Sequence, residues 1–461
     1  MNAELVIVGG RLMTPGGVVR SGLAIAGGRI VAIDSEDALP MGRERVDASG
    51  LVILPGLIDT HVHARDPSVD AREDFASATA AAAAGGITTI LEMPISTPSV
   101  HDRAAFDARV AIVGPKAYVD FGLYGGAAGD NLDGIGELAE AGVIGYKTFR
   151  TAPPAGRERE FIGLCAPDPD DFRRALERVA ATGLVCAVHA EDAALLARGA
   201  AALQAAGDRG PRSHLRWRPE LIELVSVAES IELARVTGAR LQLAHCSTPR
   251  AVDLASRARA DGVQITVETC PHYLFLTDAD LDRHGPFAKI NPALRDAEAV
   301  AGLGERLGRG QIDVLGSDHS PFLIEEKAPF ADDMWGALPG APGLEAMLPL
   351  MLTAVADGRL SWERMVALTS ANAARIFGLA GKGELRVGAD ADVVIVDPDR
   401  PGTIDTSRWL TRSRGTAAIW DGRPVTGAVT ATYVRGRAVI RDGELIGERG
   451  WGKLIRPRPP E

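Results

Sequence analysis

The 461 residues include 50 Lys+Arg against 61 Asp+Glu, a formal net charge of −11, with 46% hydrophobic and 24% charged residues. This is globular composition, which excludes a wholly disordered chain, and its acidic balance offers no footprint for nucleic acid or an anionic membrane surface. The length suits two or three domains, because a large α/β barrel takes about 250 residues as one unit.

From the N-terminus, residues 5–8 and 23–33 are short apolar runs separated by glycine turns, a strand pattern. Residues 392–396 and 432–440 repeat it near the other end. Strands at both ends with no helical stretches between them predict one small β-sandwich domain built from both termini, residues 1–54 plus 382–461. Two unrelated β appendages are the alternative.

The middle, residues 55–381, alternates strand and helix. Strands are predicted at 52–58, 87–92, 118–123, 143–149, 184–188, 241–244, 263–268 and 312–315. Helices are predicted at 72–84, stopped by Gly85-Gly86, at 168–182, with acids in its first turn and Gly183 behind it, and at 220–237. Alternation implies a parallel sheet, and eight strands imply closure into a (β/α)8 TIM barrel, giving an α/β fold. The rival, an open doubly wound sheet, calls for a G-x-G-x-x-G turn after an early strand, and none occurs there. The alanine tract 80–84 reads as a good helix former and the tail 456–461 as frayed.

Cys165, Cys186, Cys246 and Cys270 form no C-x-x-C pair and lie in or beside apolar runs, which predicts buried, reduced thiols in a cytosolic protein. The start has no cationic stretch leading into a long apolar run, so no signal peptide is expected. No run approaches the ~20 apolar residues of a membrane span, and the expectation is a soluble cytoplasmic protein.

In a barrel, reactive groups sit where strands end, on the C-terminal face. The first strand runs into His61-Val62-His63, and residues two apart in an extended segment point the same way. Lys147 lies in Gly145-Tyr146-Lys147-Thr148-Phe149, and the following strands end in His189, His245 and Asp318. Four histidines and an aspartate gathered at strand ends make a nitrogen and oxygen metal site. Five histidines remain: His101 and His284 are expected to face solvent, His214 and His272 are unassigned, and His319 either orients its neighbour Asp318 or the substrate, or packs behind the site.

Lys147 is the odd member. Burial of an unpaired lysine is costly and lowers its pKa, and the neutral amine is a nucleophile able to take up carbon dioxide as a carbamate. A salt-bridged lysine and a Schiff-base lysine are the other readings left open by the residue itself.

Together His61-Val62-His63, Lys147, His189, His245 and Asp318 resemble the amidohydrolase superfamily, and within it the cyclic amidohydrolases: dihydroorotases, hydantoinases and allantoinases. The resemblance extends to Pro55-Gly56-Leu57-Ile58-Asp59-Thr60, Glu268-Thr269-Cys270-Pro271-His272-Tyr273, Lys289-Ile290-Asn291-Pro292-Ala293-Leu294-Arg295 and Gly388-Ala389-Asp390-Ala391-Asp392. It implies two divalent ions of zinc type bridged by carboxylated Lys147, one held by His61, His63 and Asp318 and the other by His189 and His245. It implies an attack by metal-activated water on a ring carbonyl, with Asp318 moving the proton to the departing nitrogen. No organic cofactor is implied.

For the substrate, Arg65 matches an arginine that contacts the substrate carboxylate in dihydroorotases, but Ile95 stands after Met93-Pro94 where those enzymes have asparagine. The tyrosine that hydantoinases and dihydropyrimidinases carry a few residues past the lysine is absent from 148–153. Gly85-Gly86-Ile87-Thr88-Thr89, Glu92-Met93-Pro94, Ser317-Asp318-His319-Ser320-Pro321, Trp335-Gly336 and Pro342-Gly343-Leu344-Glu345 are similar to allantoinases. The expectation is hydrolysis of a small cyclic ureide, allantoin to allantoate first, with hydantoinase, dihydropyrimidinase or dihydroorotase ring opening as alternatives and a non-catalytic hydantoinase-like scaffold as the remote one. Arg65 and Asn291 are the candidate substrate contacts. A homo-oligomer, dimer or tetramer, is expected, with no nucleic-acid or membrane partner.

Overall fold

The computed structural model describes residues 3–69 and 71–458. Pro459-Pro460-Glu461, half of the tail expected to fray, lie outside the described residues. Its first half is anchored: Arg456 Nε donates to Ala141 O at 3.3 Å and Arg458 N to Gly378 O at 2.9 Å.

Strands Ala3–Val8, Gly22–Ala26, Arg29–Asp34 and Gly42–Asp47 form a four-stranded sheet, with Leu5 opposite Ile25 on one side and Glu44 on the other. A second, seven-stranded sheet interleaves the chain ends: Val52–Pro55 pairs antiparallel with Val393–Thr403, which pairs in turn with Pro424–Val434. Leu5, Ile7, Leu23, Ile25 and Ile53 share one buried cluster with Val393, Ile395, Ala431 and Tyr433, so strands from both termini close a single apolar core.

The run expected as one strand, 52–58, serves two sheets. It breaks at Gly56, whose N–H donates to Asp392 O at 2.9 Å, and Leu57–Val62 continues as the first parallel strand of the middle region. A Cβ at Gly56 would meet Thr88 Oγ1 at 2.0 Å, so only glycine fits that crossing.

Leu57–Val62, Ile87–Glu92 and Asp120–Leu123 make a three-stranded parallel sheet. Gly125–Gly126, Tyr146–Phe149, Val185–His189, Arg240–Leu243, Ile265–Thr269 and Val314–Leu315 make a six-stranded one, neighbours in space in chain order. Backbone bonds from Tyr124 N to Glu92 O (3.0 Å) and Ile144 N to Leu123 O (2.9 Å) join the two sheets, and His63 N donates to His319 O at 2.9 Å between the first strand's end and the segment after the last.

Helices cover the outside, and their limits follow the caps. Glu220–Thr237 lies where the periodicity places it, ended by Gly238 at φ 70°. Asp168 is the cap of Pro169–Thr182, accepting from Asp170 N and Asp171 N. Phe75–Ala84 begins three residues later than its pattern because Asp74 accepts from Ser77 N, the capping arrangement that starts a helix. Its alanine tract does more than favour helix: Ala80 to Ala83 are all buried, and a Cβ at Gly85 would meet Leu344 O at 2.3 Å. Small side chains here allow close approach to the neighbouring helix Leu344–Ala356.

The β unit is pinned to the parallel strands by ions as well as by packing. Lys382 Nζ lies 2.6 Å from Asp120, 2.6 Å from Asp392 and 3.1 Å from Asp390. Cys186, Cys246 and Cys270 are buried free thiols and Cys165 is half-buried. Among the described residues no helix is long and apolar enough to cross a membrane.

Candidate metal centre

The ends of the parallel strands bring the expected residues to one place. His61, His63 and Asp318 offer ligand atoms that all lie within 4.8 Å of one another, and Asp318 Oδ1 is 3.4 Å from His61 Nε2 and 3.3 Å from His63 Nε2. His189 Nδ1 faces His245 Nε2 at 3.0 Å, and the His61 and His245 ring centroids are 5.2 Å apart. Lys147, with no exposed surface, sits among them, its Nζ without a hydrogen-bond partner and 5.0 Å from the Phe149 ring centroid.

Burial sets the protonation states. It pushes His63 down to about 3, with His189 lowered and His245 lowered well below its ordinary value for the same reason, so these imidazoles are neutral and present lone pairs near neutral pH. Burial likewise lowers Lys147 to about 8. Asp318 is raised by burial, but His61 and His63 outweigh that, and it lies well below the usual carboxylate range.

Each turn is held in an uncommon conformation. Arg65 (φ 55°), His245 (φ 39°) and Asp318 (φ 48°) are three of the five non-glycine residues with positive φ among those described. Such residues cost of order 1–3 kcal/mol each and persist where surrounding bonds over-determine them. Here Glu92 accepts from Ala64 N (2.9 Å) and Arg65 N (3.0 Å) and is itself bound by Arg109 at 2.5 Å.

Arg65 and Asn291 line the same cavity of about 520 Å3 as the histidines and Asp318. Arg65 is buried, stacked 4.6 Å from the centre of the Phe322 ring, with Nε and Nη1 unpartnered; Asn291 Oδ1 is also buried without a partner. Burial lowers the Arg65 guanidinium to about 9, with Arg157 and Arg72 adding repulsion.

The other histidines are placed more tightly than expected. His319 is fully buried, its Nε2 3.2 Å from Glu73 and its Nδ1 accepting from Gly343 N at 3.3 Å, so its ring packs behind the site. His101 and His284 are half-buried, in part as expected: His101 Nδ1 donates to Ser99 O at 2.9 Å, and His284 ends a short helix beside Gly285.

Two carboxylates were not singled out from the sequence. Glu268 accepts from His61 Nδ1 (2.7 Å), Thr60 Oγ1 (2.6 Å), Gln242 Nε2 (3.0 Å) and His245 N (3.1 Å). Burial raises its pKa, yet His61 and these bonds prevail and leave it below its ordinary value. Glu191 takes His189 Nε2 at 2.8 Å and is paired with Arg218. Both turn an imidazole so that its other nitrogen faces the centre, the usual office of a carboxylate behind a metal-ligating histidine. Their signals were an acid inside an apolar strand and an acid two residues past a strand-end histidine.

A model of the amidohydrolase family matches residues 52–439. The chain belongs to the amidohydrolase family. It is 35% identical over 458 residues to an L-hydantoinase of Paenarthrobacter aurescens, covering 99% of this chain and 98% of that one. It is 38% identical over 464 residues to an allantoinase of Deinococcus radiodurans, covering 99% and 100%. The solved L-hydantoinase (dihydropyrimidinase) from Arthrobacter aurescens superposes with a TM-score of 0.94 at 34% identity, covering 98% of this chain and 100% of that one. Membership in this amidohydrolase family implies a binuclear metal centre in a TIM barrel with a β domain, and the clustered His and Asp groups are candidates to hold the ions.

Proposed function

We propose that this chain hydrolyses the amide bond of a small cyclic ureide at two divalent ions, zinc by the nature of the donors. His61, His63 and Asp318 would hold one, His189 and His245 the other, and Lys147 as its carbamate would bridge them. The observation that carries the reading is the convergence of imidazole nitrogens and Asp318 around a buried lysine amine that has no partner of its own. A bare amine there is an orphan, whereas a carbamate on it is an anion facing the atoms that would hold cations. We read the two parallel sheets as one closed (β/α)8 barrel over residues 55–381, with residues 1–54 and 382–461 as the β-sandwich, and the assembly as a homo-oligomer, dimer or tetramer.

When bound, the ions supply Lewis acidity and bring the pKa of water toward neutrality. The chain does the rest. Asp318 accepts the attacking water's proton and returns it to the departing ring nitrogen. Arg65 and Asn291 offer unpartnered polar atoms to the ring's substituents and carbonyls. Glu268 and Glu191 keep His61 and His189 in the required tautomers.

Allantoin is the first substrate, on the motifs shared with allantoinases and on the similarity to the allantoinase of Deinococcus radiodurans. One observation favours a second: away from the histidines the cavity is walled by Ile95, Phe149, Phe161, Leu196, Trp217 and Trp335. Its volume falls in the ~300–1,000 Å3 range of sites for drug-sized ligands, which suits a hydantoin with an apolar substituent. Metal analysis followed by assay of allantoin, hydantoin, 5-benzylhydantoin, dihydrouracil and dihydroorotate tests both. About two ions per chain and ring opening of a ureide are expected; a metal-loaded protein that opens none of the panel would overturn the reading.

A further inference from the structure

Lys289 and Lys327 are 3% and 0% exposed, and neither forms an ion pair among the described residues. Both spend their N–H groups on one short stretch of backbone. Lys289 Nζ donates to Met334 O (2.5 Å) and Ala337 O (2.6 Å), and Lys327 Nζ to Leu338 O (3.0 Å) and Gly340 O (2.5 Å). Four carbonyls within residues 334–340 are thus drawn to two buried amines. The same stretch presents Trp335, Leu338 and Pro339 to the cavity.

We propose that Lys289 and Lys327 are positioning residues: they suspend the 334–340 strap as one wall of the cavity and so determine which ring substituents fit. The inference rests on the cyclic-ureide reading for its substrate consequence, while the strap itself stands on the geometry. A buried backbone carbonyl requires a donor, and this stretch has no helix or strand ladder to provide one. The lysines are those donors. Holding these carbonyls fixes the strap beside the cavity, which Lys289 itself also lines.

Other bonds hold the strap through its N–H groups, among them Leu338 N to Glu326 O at 3.4 Å, so the lysines act through its carbonyls. At one end Met334 N donates to Arg209 O (2.9 Å) and Trp335 Nε1 to Asp208 O (2.8 Å), with the Trp335 ring 4.8 Å from Trp217. At the other, Gly340 N donates to Lys289 O at 2.8 Å. Burial weighs most on both amines; beyond it Lys289 feels Arg218 and Asp333, and Lys327 feels Lys289, Arg65 and Glu326. The amines are held by carbonyl oxygens and aromatic faces, with Lys289 Nζ 6.0 Å from the Trp217 ring centroid and Lys327 Nζ 5.5 Å from that of Phe322.

The test uses the metal-loaded protein and the variants Lys289→Met and Lys327→Met, with Lys289→Gln and Lys327→Gln as milder versions should the first pair fail to fold. Amide hydrogen exchange is followed across the chain. Exchange at 334–340 is expected to rise about tenfold or more, with the parallel strands and the metal content unchanged. The ratio of kcat/KM for 5-benzylhydantoin to that for hydantoin is expected to fall about tenfold, mainly through KM. Folded variants with wild-type exchange at 334–340 and an unchanged ratio would overturn the proposal. If the wild type opens neither ring, the ureide reading fails, and the exchange measurement alone still decides for or against the strap.

Discussion

Glu268 offers the sharpest separation of shape from charge at this centre. Its Oε1 accepts from His61 Nδ1 and His245 N, and its Oε2 from Thr60 Oγ1 and Gln242 Nε2. Glu268→Ala orphans four buried donors at ~1–3 kcal/mol each, roughly 4–12 kcal/mol, against a total stability of about 5–15 kcal/mol. Glu268→Gln is different. An amide oxygen in place of Oε1 keeps the bonds to His61 and His245. On the other side Thr60 can rotate its hydroxyl, and Gln242 can flip to offer its own Oε1, which is buried without a partner. The Gln variant then keeps most of the shape and loses the negative charge behind His61, and loss of such a partner costs ~10–100-fold in metal affinity. Thermal unfolding and metal retention during dialysis against graded chelator measure the two effects separately. An alanine variant as stable as the glutamine one, or a glutamine variant that holds metal like the wild type, would refute the reasoning.

Lys147→Arg is expected to fold, to be poor in metal and nearly inactive, because arginine stays protonated and forms no carbamate; elemental analysis with normal metal content and normal turnover would exclude the bridging role. Asp318→Asn should keep much of its metal and lose ~10²–10⁴-fold in kcat, the range for a proton-transferring group, as read by steady-state ring opening. Glu345, raised by burial to about 8 despite N–H donors from Leu410 and Thr411, binds its proton more tightly folded than unfolded. Its contribution is therefore full below the ordinary carboxylate pKa and is lost as pH rises through about 8. Melting curves should show Glu345→Gln falling less than wild type between about pH 5 and about pH 9, and parallel falls would exclude that carboxyl as the cause.

The cluster of candidate ligands was legible because it is written in local order: His61 and His63 share a strand face, and His189, His245 and Asp318 each follow an apolar run. The role of Glu268 was not, since it depends on Ile265–Thr269 lying beside Arg240–Leu243 in the register that pairs Leu243 with Val267. No spacing along the chain contains that information. The same holds for the strap, where Lys289 and Lys327 reach carbonyls in a stretch with no period to read. The division of 52–58 between two sheets turns on one glycine that resembles any other until Thr88 is seen against it. The half-burial of His101 and His284 was not legible, because charged neighbours in sequence say little about what a loop folds back upon.

The sharing of one core by both chain ends has a consequence for synthesis. Val52–Pro55 finds its partner in Val393–Thr403, about 340 residues later in the chain. At the ~5–20 residues per second of translation, that partner emerges about 20–70 s after the strand that needs it. Throughout that interval Leu5, Ile7, Leu23, Ile25 and Ile53 have no Val393, Ile395 or Tyr433 to cover them. The part of the molecule made first is completed last, and its unpaired apolar strands are the segment a nascent-chain chaperone would have to shield.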